Sequence, residues 1–279
     1  MPYKSEHTVR SYTDGARFFL AWCREQDRPA VLDVPTVTDW VVSLRAAGKS
    51  SATMVSRQAS VRRFSRWLAS RDHIPADLLA GLERPKLDEP LVESLTDDEL
   101  KRLLATCKGK SLHQVRDRVV LMLMFETGLR ASELTGMMLD DVDLDARLAI
   151  IRRGKGGKGR LVRFSPRAAA ALDDYLHLRR RHPLAGSGVL WLGEGGRKLG
   201  YAGLYNMVIK RGKAIGLKKI HPHKMRNTSA VRWLSRGGSV TGLMAQHGWT
   251  SVDMARRYIR ASEQQLAADE ADRLGLGDL

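Results

Sequence analysis

The chain has 279 residues, 43% of them hydrophobic, and a formal net charge of +16. That is apolar material for one large domain or two ordinary ones, and the excess of Lys and Arg implies a polyanionic partner, nucleic acid before an anionic membrane surface. The longest apolar run, 119–125, is too short to span a bilayer and reads as a buried helix; the first residues carry no secretory signal; Cys23 and Cys107 have no metal-ligand spacing, so a reducing cytoplasm is expected.

Residues 1–83 read as a nearly continuous helical bundle. Apolar positions at helical spacing run from Val9 through Trp22, and Pro29 ends that helix. A second helix starts near Val37 and closes at Gly48. A third follows a Ser/Thr-rich turn, with Met54, Val55, Val61, Phe64, Trp67 and Leu68 as its apolar stripe. Its other face carries Arg57, Arg62, Arg63, Arg66 and Arg71, which is either a solvated face or, given the global charge, a face turned to DNA. Residues 84–92 hold two prolines among charged residues and read as an extended linker. The second domain, 93–279, opens on a capping box, Thr96 with Glu99. A buried helix from about Leu112 stops at Gly128, a glycine suited to a left-handed helix end. Two short strands, 148–153 and 160–164, flank a Gly-Lys-rich tip and form a hairpin. Helices follow from Ser165 onward, broken near Gly216, Gly237 and Gly248. The expected fold is mainly α: a helical N-terminal bundle, then an α+β domain with a small sheet.

Four local features share one chemistry. Arg130 lies just past a helix end, with Glu133 three residues on. Lys155 stands on the hairpin tip, with Lys158 and Arg160 beyond it. His223 and Arg226 share a helix face, with Lys224 between them. Trp249 precedes Tyr258, which sits among arginines. Taken singly, Arg130 suits a helix end, Lys155 a solvated turn, Trp249 a core position and Tyr258 a packed helix residue. Together they suit attack on a phosphodiester. The pentavalent state gathers negative charge on its non-bridging oxygens, and two guanidiniums bind those oxygens with fixed forked donors. Tyrosine is a weak nucleophile near neutral pH; neighbouring cations and a histidine acting as base correct that. A lysine can protonate the leaving oxygen. A covalent tyrosyl ester conserves the bond energy, so neither ATP nor a metal is needed. His221, His223 and His247 have no carboxylate or cysteine at ligand spacing, so no metal site is expected. The Gly-Lys tip lacks the ending of a phosphate-binding P-loop.

This order of boxes resembles the tyrosine recombinase (phage integrase) family, in particular its Xer- and Cre-like members. The run Thr127 to Leu134 looks like the first arginine box, which implies that Arg130 is a phosphate clamp and Glu133 its acidic support. The run Arg153 to Arg160 looks like the hairpin with the general-acid lysine, and Lys155 fits that role better than Lys158. His223 through Arg226 matches the H-x-x-R box, although Asn227 stands where the family often has histidine. Counting back nine residues from Tyr258 lands on Trp249, so Trp249 takes the histidine/tryptophan position and His247 takes no catalytic role. The resemblance implies a site-specific recombinase that passes through a 3′-phosphotyrosyl intermediate and a Holliday junction. It acts as a homotetramer on two duplex sites, with an accessory directionality factor compatible with the scheme. The bundle begins within about the first ten residues, so no extra arm-binding domain and simple inverted-repeat sites are expected. Rival readings are a type IB topoisomerase-like relaxase and a non-catalytic DNA-binding regulator. The tail after Tyr258, acidic with Leu266, Leu274 and Leu276, reads either as a frayed end or as a helix that docks on a neighbour.

Overall fold

The computed structural model describes residues 6–86, 88, 92–152 and 159–275. The chain divides into two compact units, Met1–Pro90 and Leu91–Leu279.

The first unit is built on three helices, α1 (Glu6–Glu25), α2 (Val34–Ala46) and α3 (Ser51–Ala69). Local chemistry starts the later two. Asp33 caps α2 by accepting from the Thr36 N–H at 2.8 Å, with Pro35 in the first turn. Ser50 caps α3 through the Thr53 N–H at 3.2 Å. Phe19, Cys23, Val37, Trp40, Leu44, Met54 and Val61 form the core, closed by Leu79 and Leu82. Helices α1 and α3 approach closely at Gly15, where a Cβ would lie 2.3 Å from that of Ser60.

Two expectations for this unit are corrected. The buried face of α3 keeps only Met54 and Val61 of the apolar stripe and adds Ser51, Gln58, Ser60 and Ser65, and Trp67 is 37% exposed. Phe64 and Trp67 instead stack on each other, at 6.1 Å, in a cleft with Val9 and Tyr12 of α1. Segment 70–83, part of the stretch expected to be nearly all helix, is turns and extended chain. The polar residues of α3 explain both findings. Gln58 Nε2 donates to the Glu83 carbonyl at 2.8 Å, and Ser65 Oγ donates to Asp77 Oδ1 at 2.6 Å. Buried polar groups must be paired, so a non-helical segment with free carbonyls and a side-chain acceptor is their complement.

The second unit has a central helix, α5 (Leu112–Thr127), buried on every side along Val119 to Met124. Helix α4 (Asp97–Ala105) leads into it with the expected capping box, both hydrogen bonds being present. Helices α7 (Pro166–Arg179) and α9 (Pro222–Ser235) pack on α5. Short α6 (Ala131–Thr135) follows the left-handed Gly128. A three-stranded antiparallel sheet lies beside it: β1 (Val142–Asp143), β2 (Leu148–Ile151) and β3 (Arg160–Arg163), in that order. Strand β1 adds to the expected hairpin, whose register pairs Ile151 with Arg160. Helices α8 (Tyr201–Lys213), α10 (Val240–His247) and α11 (Asp253–Leu274) complete the unit. A separate small core joins α9, α10 and α11: Ala230, Leu234, Leu243, Trp249, Ala255 and Tyr258. None of the described helices is long and apolar enough to cross a membrane.

Candidate active site

Glu133 is the hub. Its position at the third residue of α6 lets it reach back to the Arg130 N–H, Oε2 accepting at 2.8 Å. Oε1 accepts from the Arg130 guanidinium at 2.7 Å. Arg160, the first residue of β3, donates both fork nitrogens to the same carboxylate, at 3.0 and 2.8 Å. The Glu133 side chain is 3% exposed. Burial alone would raise its pKa, but the hydrogen bonds from Arg160 and Arg130 outweigh it and hold the group at about 2. Glu133 is therefore a fixed anion at neutral pH, and it aims the Arg130 guanidinium.

Arg226 is held differently. It is 3% exposed on α9, and its fork donates to the carbonyls of Gly128 and His247, the latter at 2.7 Å. Those residues end α5 and α10, and each end turns on a left-handed glycine, Gly128 and Gly248. Helix C-termini present carbonyl oxygens and partial negative charge, so they orient a guanidinium without neutralising it. Burial, then the like charge of Arg130, lowers Arg226 to about 9, which still leaves it a cation at pH 7. Two aimed guanidiniums repelling each other define a pocket for an anion.

His223 opens the same helix, one turn before Arg226, and is exposed. Partial burial of its ring, then the charges of Arg226 and Arg257, pull its pKa below the ordinary value, so the imidazole is neutral at pH 7 and able to accept a proton. Trp249 is 8% exposed, with the Arg226 guanidinium carbon 5.5 Å from its ring centre. Tyr258 stacks on the other aromatic partner in this cluster, its ring 5.0 Å from that of Trp249 and inclined by 17°. Its hydroxyl donates to Asn227 Oδ1 at 2.9 Å, and Arg257 stands 5.3 Å from its ring centre. Burial raises the Tyr258 pKa against the pull of Arg257 and Arg226.

The second unit thus gathers Arg130, Glu133, His223, Arg226, Trp249 and Tyr258 around one locus. Lys155 and Lys158 lie outside the described residues. Arg160, expected at DNA, is turned inward: its side chain is 9% exposed, with Nε donating to the Gln246 carbonyl at 3.0 Å. Strand alternation is the signal that places it, since Arg160 and the buried Val162 share a face of β3. Lys224 is likewise engaged, its Nζ 3.0 Å from Glu93 with the side chain 14% exposed. In the first unit, Arg62 donates to the Ala80 carbonyl and Arg66 lies 3.6 Å from Asp77. Arg57 and Arg63 rest over the rings of Phe18 and Tyr12, at 4.2 and 5.1 Å, which fixes the guanidinium plane without consuming its N–H donors. Sequence reasoning missed Asn227 as the partner of the tyrosine. It also missed His247 as structure: the ring is wholly buried, 4.8 Å from Trp249, with neither nitrogen hydrogen-bonded. No group of three His, Cys, Asp or Glu able to hold a metal occurs among the described residues.

Residues 93–265 match the phage integrase family, and residues 3–72 match the phage integrase N-terminal SAM-like domain. The chain is 31% identical over 272 residues to the tyrosine recombinase XerD of Bifidobacterium longum, covering 93% of this chain and 88% of that one. Its fold is similar to that of the Tn1549 transposon integrase in complex with a circular intermediate DNA, at 18% identity and a TM-score of 0.74, covering 98% and 95% of the two chains. It is also similar to the XerH site-specific recombinase bound to its palindromic difH substrate, at 19% identity and a TM-score of 0.71, covering 88% of this chain and 73% of that one.

Proposed function

The chain belongs to the phage integrase family, and on that premise we propose a division of labour among the residues that meet at its site. It is a tyrosine-type site-specific DNA recombinase, which cleaves and rejoins DNA. Arg130 and Arg226 bind the non-bridging oxygens of the scissile phosphate. Each is aimed before DNA arrives, by Glu133 and by two helix ends respectively, so the charge that develops in the pentavalent state meets donors that need not reorganise. Such fixed donors contribute about 10²- to 10³-fold each. Tyr258 Oη attacks phosphorus and the bond to the 5′ oxygen breaks. The phenolic proton passes to neutral His223, and the 5′ oxygen takes a proton from Lys155. The product is a 3′-phosphotyrosyl ester and a free 5′-hydroxyl; attack by a 5′-hydroxyl from a partner strand reverses the step, without ATP. Trp249 packs between Arg226 and Tyr258, fixing the distance from clamp to nucleophile.

The N-terminal unit, proposed as a core-type DNA-binding domain over 1–83 joined by a linker at 84–92, contributes Arg57 and Arg63 to phosphate contacts, with Arg62 and Arg66 beside them. We place the enzyme in the cytoplasm, acting as a tetramer on two short inverted-repeat sites. The observation that carries the reading is the convergence of two aimed guanidiniums and a tyrosine, from three separate stretches of sequence, on one locus. The test uses duplex recovered by sequencing DNA trapped covalently on the protein. A nicked version of that duplex should accumulate a protease-sensitive covalent adduct with the native chain and none with Tyr258→Phe. An undiminished adduct from Tyr258→Phe refutes the assignment.

A further inference from the structure

The hydrogen bond that Tyr258 makes is an odd one for a nucleophile. Its oxygen must lose a proton to attack, yet here it donates that proton to a neutral amide oxygen that cannot accept it. Asn227 is 8% exposed and Tyr258 3%, so the pair is screened from water. Three walls complete the enclosure. Trp249 stacks on the ring, Arg257 stands over it, and Asn227 follows Arg226 directly on α9, so both groups ride on the same turn. In this arrangement burial and the hydrogen bond to Asn227 favour the protonated phenol, against the pull of Arg257 and Arg226.

We propose that Asn227 is a positioning residue that latches Tyr258 in a covered, protonated state, so that release of the nucleophile is a step separate from construction of the phosphate site. This rests on Tyr258 being the nucleophile. The clamp is complete in the structure while the tyrosine is still latched, which means that the two halves of the site are prepared independently. The chemistry identifies the trigger as an anion at Arg226. Phosphate binding there pulls on the helix turn that carries Asn227, and the phenol exchanges a neutral acceptor for the phosphate and its base. The latch keeps the phenol covered and protonated until a phosphate occupies the clamp.

The experiment measures single-turnover adduct formation on the nicked duplex across pH 5.5–9.5, for the native chain, Asn227→Ala and Asn227→Asp, at DNA concentrations that saturate each. Loss of one neutral hydrogen bond to the phenol predicts a rise of about fivefold in rate at pH 7 for Asn227→Ala, with the acid limb of the profile moved to lower pH. A carboxylate at the same place holds the proton harder and repels phenolate, so Asn227→Asp slows the adduct and moves the limb to higher pH. Asn227→Ser, whose side chain stops short of the hydroxyl, is read in place of Asn227→Ala if the latter fails to fold. Opposite shifts of the acid limb in the two variants support the latch. Any other pattern overturns it, including slower cleavage with an unmoved profile, the mark of a residue that merely supports the fold. Tyr258→Phe in the same assay separates the two claims: an adduct from that variant removes the nucleophile, whereas a clean blank with unmoved Asn227 profiles removes the latch alone.

Discussion

Arg160 offers a measurement that separates a DNA contact from an internal brace. Arg160→Met removes both fork bonds to Glu133 and the bond to the Gln246 carbonyl while keeping an unbranched apolar stem. The carboxylate keeps its two bonds from Arg130. Glu133 stands at about 2 in the fold against an ordinary 4.5, which corresponds to about 3 kcal/mol favouring its charged form. Breaking a buried pair by removing one partner costs about 3–5 kcal/mol, and the surviving Arg130 bonds place this case toward the lower end. Denaturant unfolding should therefore show Arg160→Met and Glu133→Gln each destabilised by about 3 kcal/mol. The double variant should lose far less than the sum, because both remove one interaction. Duplex binding supplies the other half of the test. An arginine that neutralises a phosphate contributes about 0.9 to the slope of log affinity against log salt. A brace contributes nothing, so Arg160→Met should keep the native slope over 50–300 mM salt while adduct formation falls. A slope reduced by about 0.9 with native stability would show the opposite, that Arg160 reaches DNA and the carboxylate pairing is dispensable.

Two further predictions concern the packing behind the clamp. His247 is wholly buried, and burial first, then Arg226 and Arg160, depress it from 6.5 to about 3. The unfolded chain therefore binds a proton that the fold refuses, so His247 favours folding fully above pH 6.5 and that contribution drains away as pH falls toward 3. Glu133, also depressed, adds its own loss only below about 4.5, and the lowered His223 shares the window between 6.5 and 4.5 with His247; unfolding midpoints there should fall with pH in the native chain and fall less steeply in His247→Leu, and equal slopes would refute the assignment. Gly128 carries φ +64, and a Cβ would sit 2.2 Å from His247 Nε2, whereas Gly48 carries φ +68 with nothing within 4 Å. Gly48→Ala should cost about 1 kcal/mol of backbone strain alone, Gly128→Ala at least about twice that with a roughly tenfold or greater fall in adduct rate as Arg226 loses its carbonyl, measured by unfolding and single-turnover cleavage; equal costs would remove the role given to crowding.

Much of this protein follows from local sequence. The capping box at Thr96, the Gly128 stop, the β-hairpin and the breaks at Gly237 and Gly248 are signals carried by a few adjacent residues, and each stands in the structure as written in the chain. The family also shows in the sequence, because its boxes are short and ordered, and the nine-residue count from Trp249 to Tyr258 is a linear fact. Local signals failed where a side chain's partner lies far along the chain. Nothing local to Gln58 and Ser65 shows that their partners are Glu83 and Asp77, in the segment that closes over them. Arg160 looked like one more cation in a basic run; only the tertiary fold brings Glu133 to it, 27 residues away. Asn227 and Tyr258 are 31 residues apart, and nothing in either neighbourhood announces the bond between them. Composition and periodicity determine which faces are apolar and where helices start and stop. Which buried polar group meets which partner is decided by packing, since a satisfied hydrogen bond and an unsatisfied one look the same in sequence and differ by kilocalories only once water has been excluded.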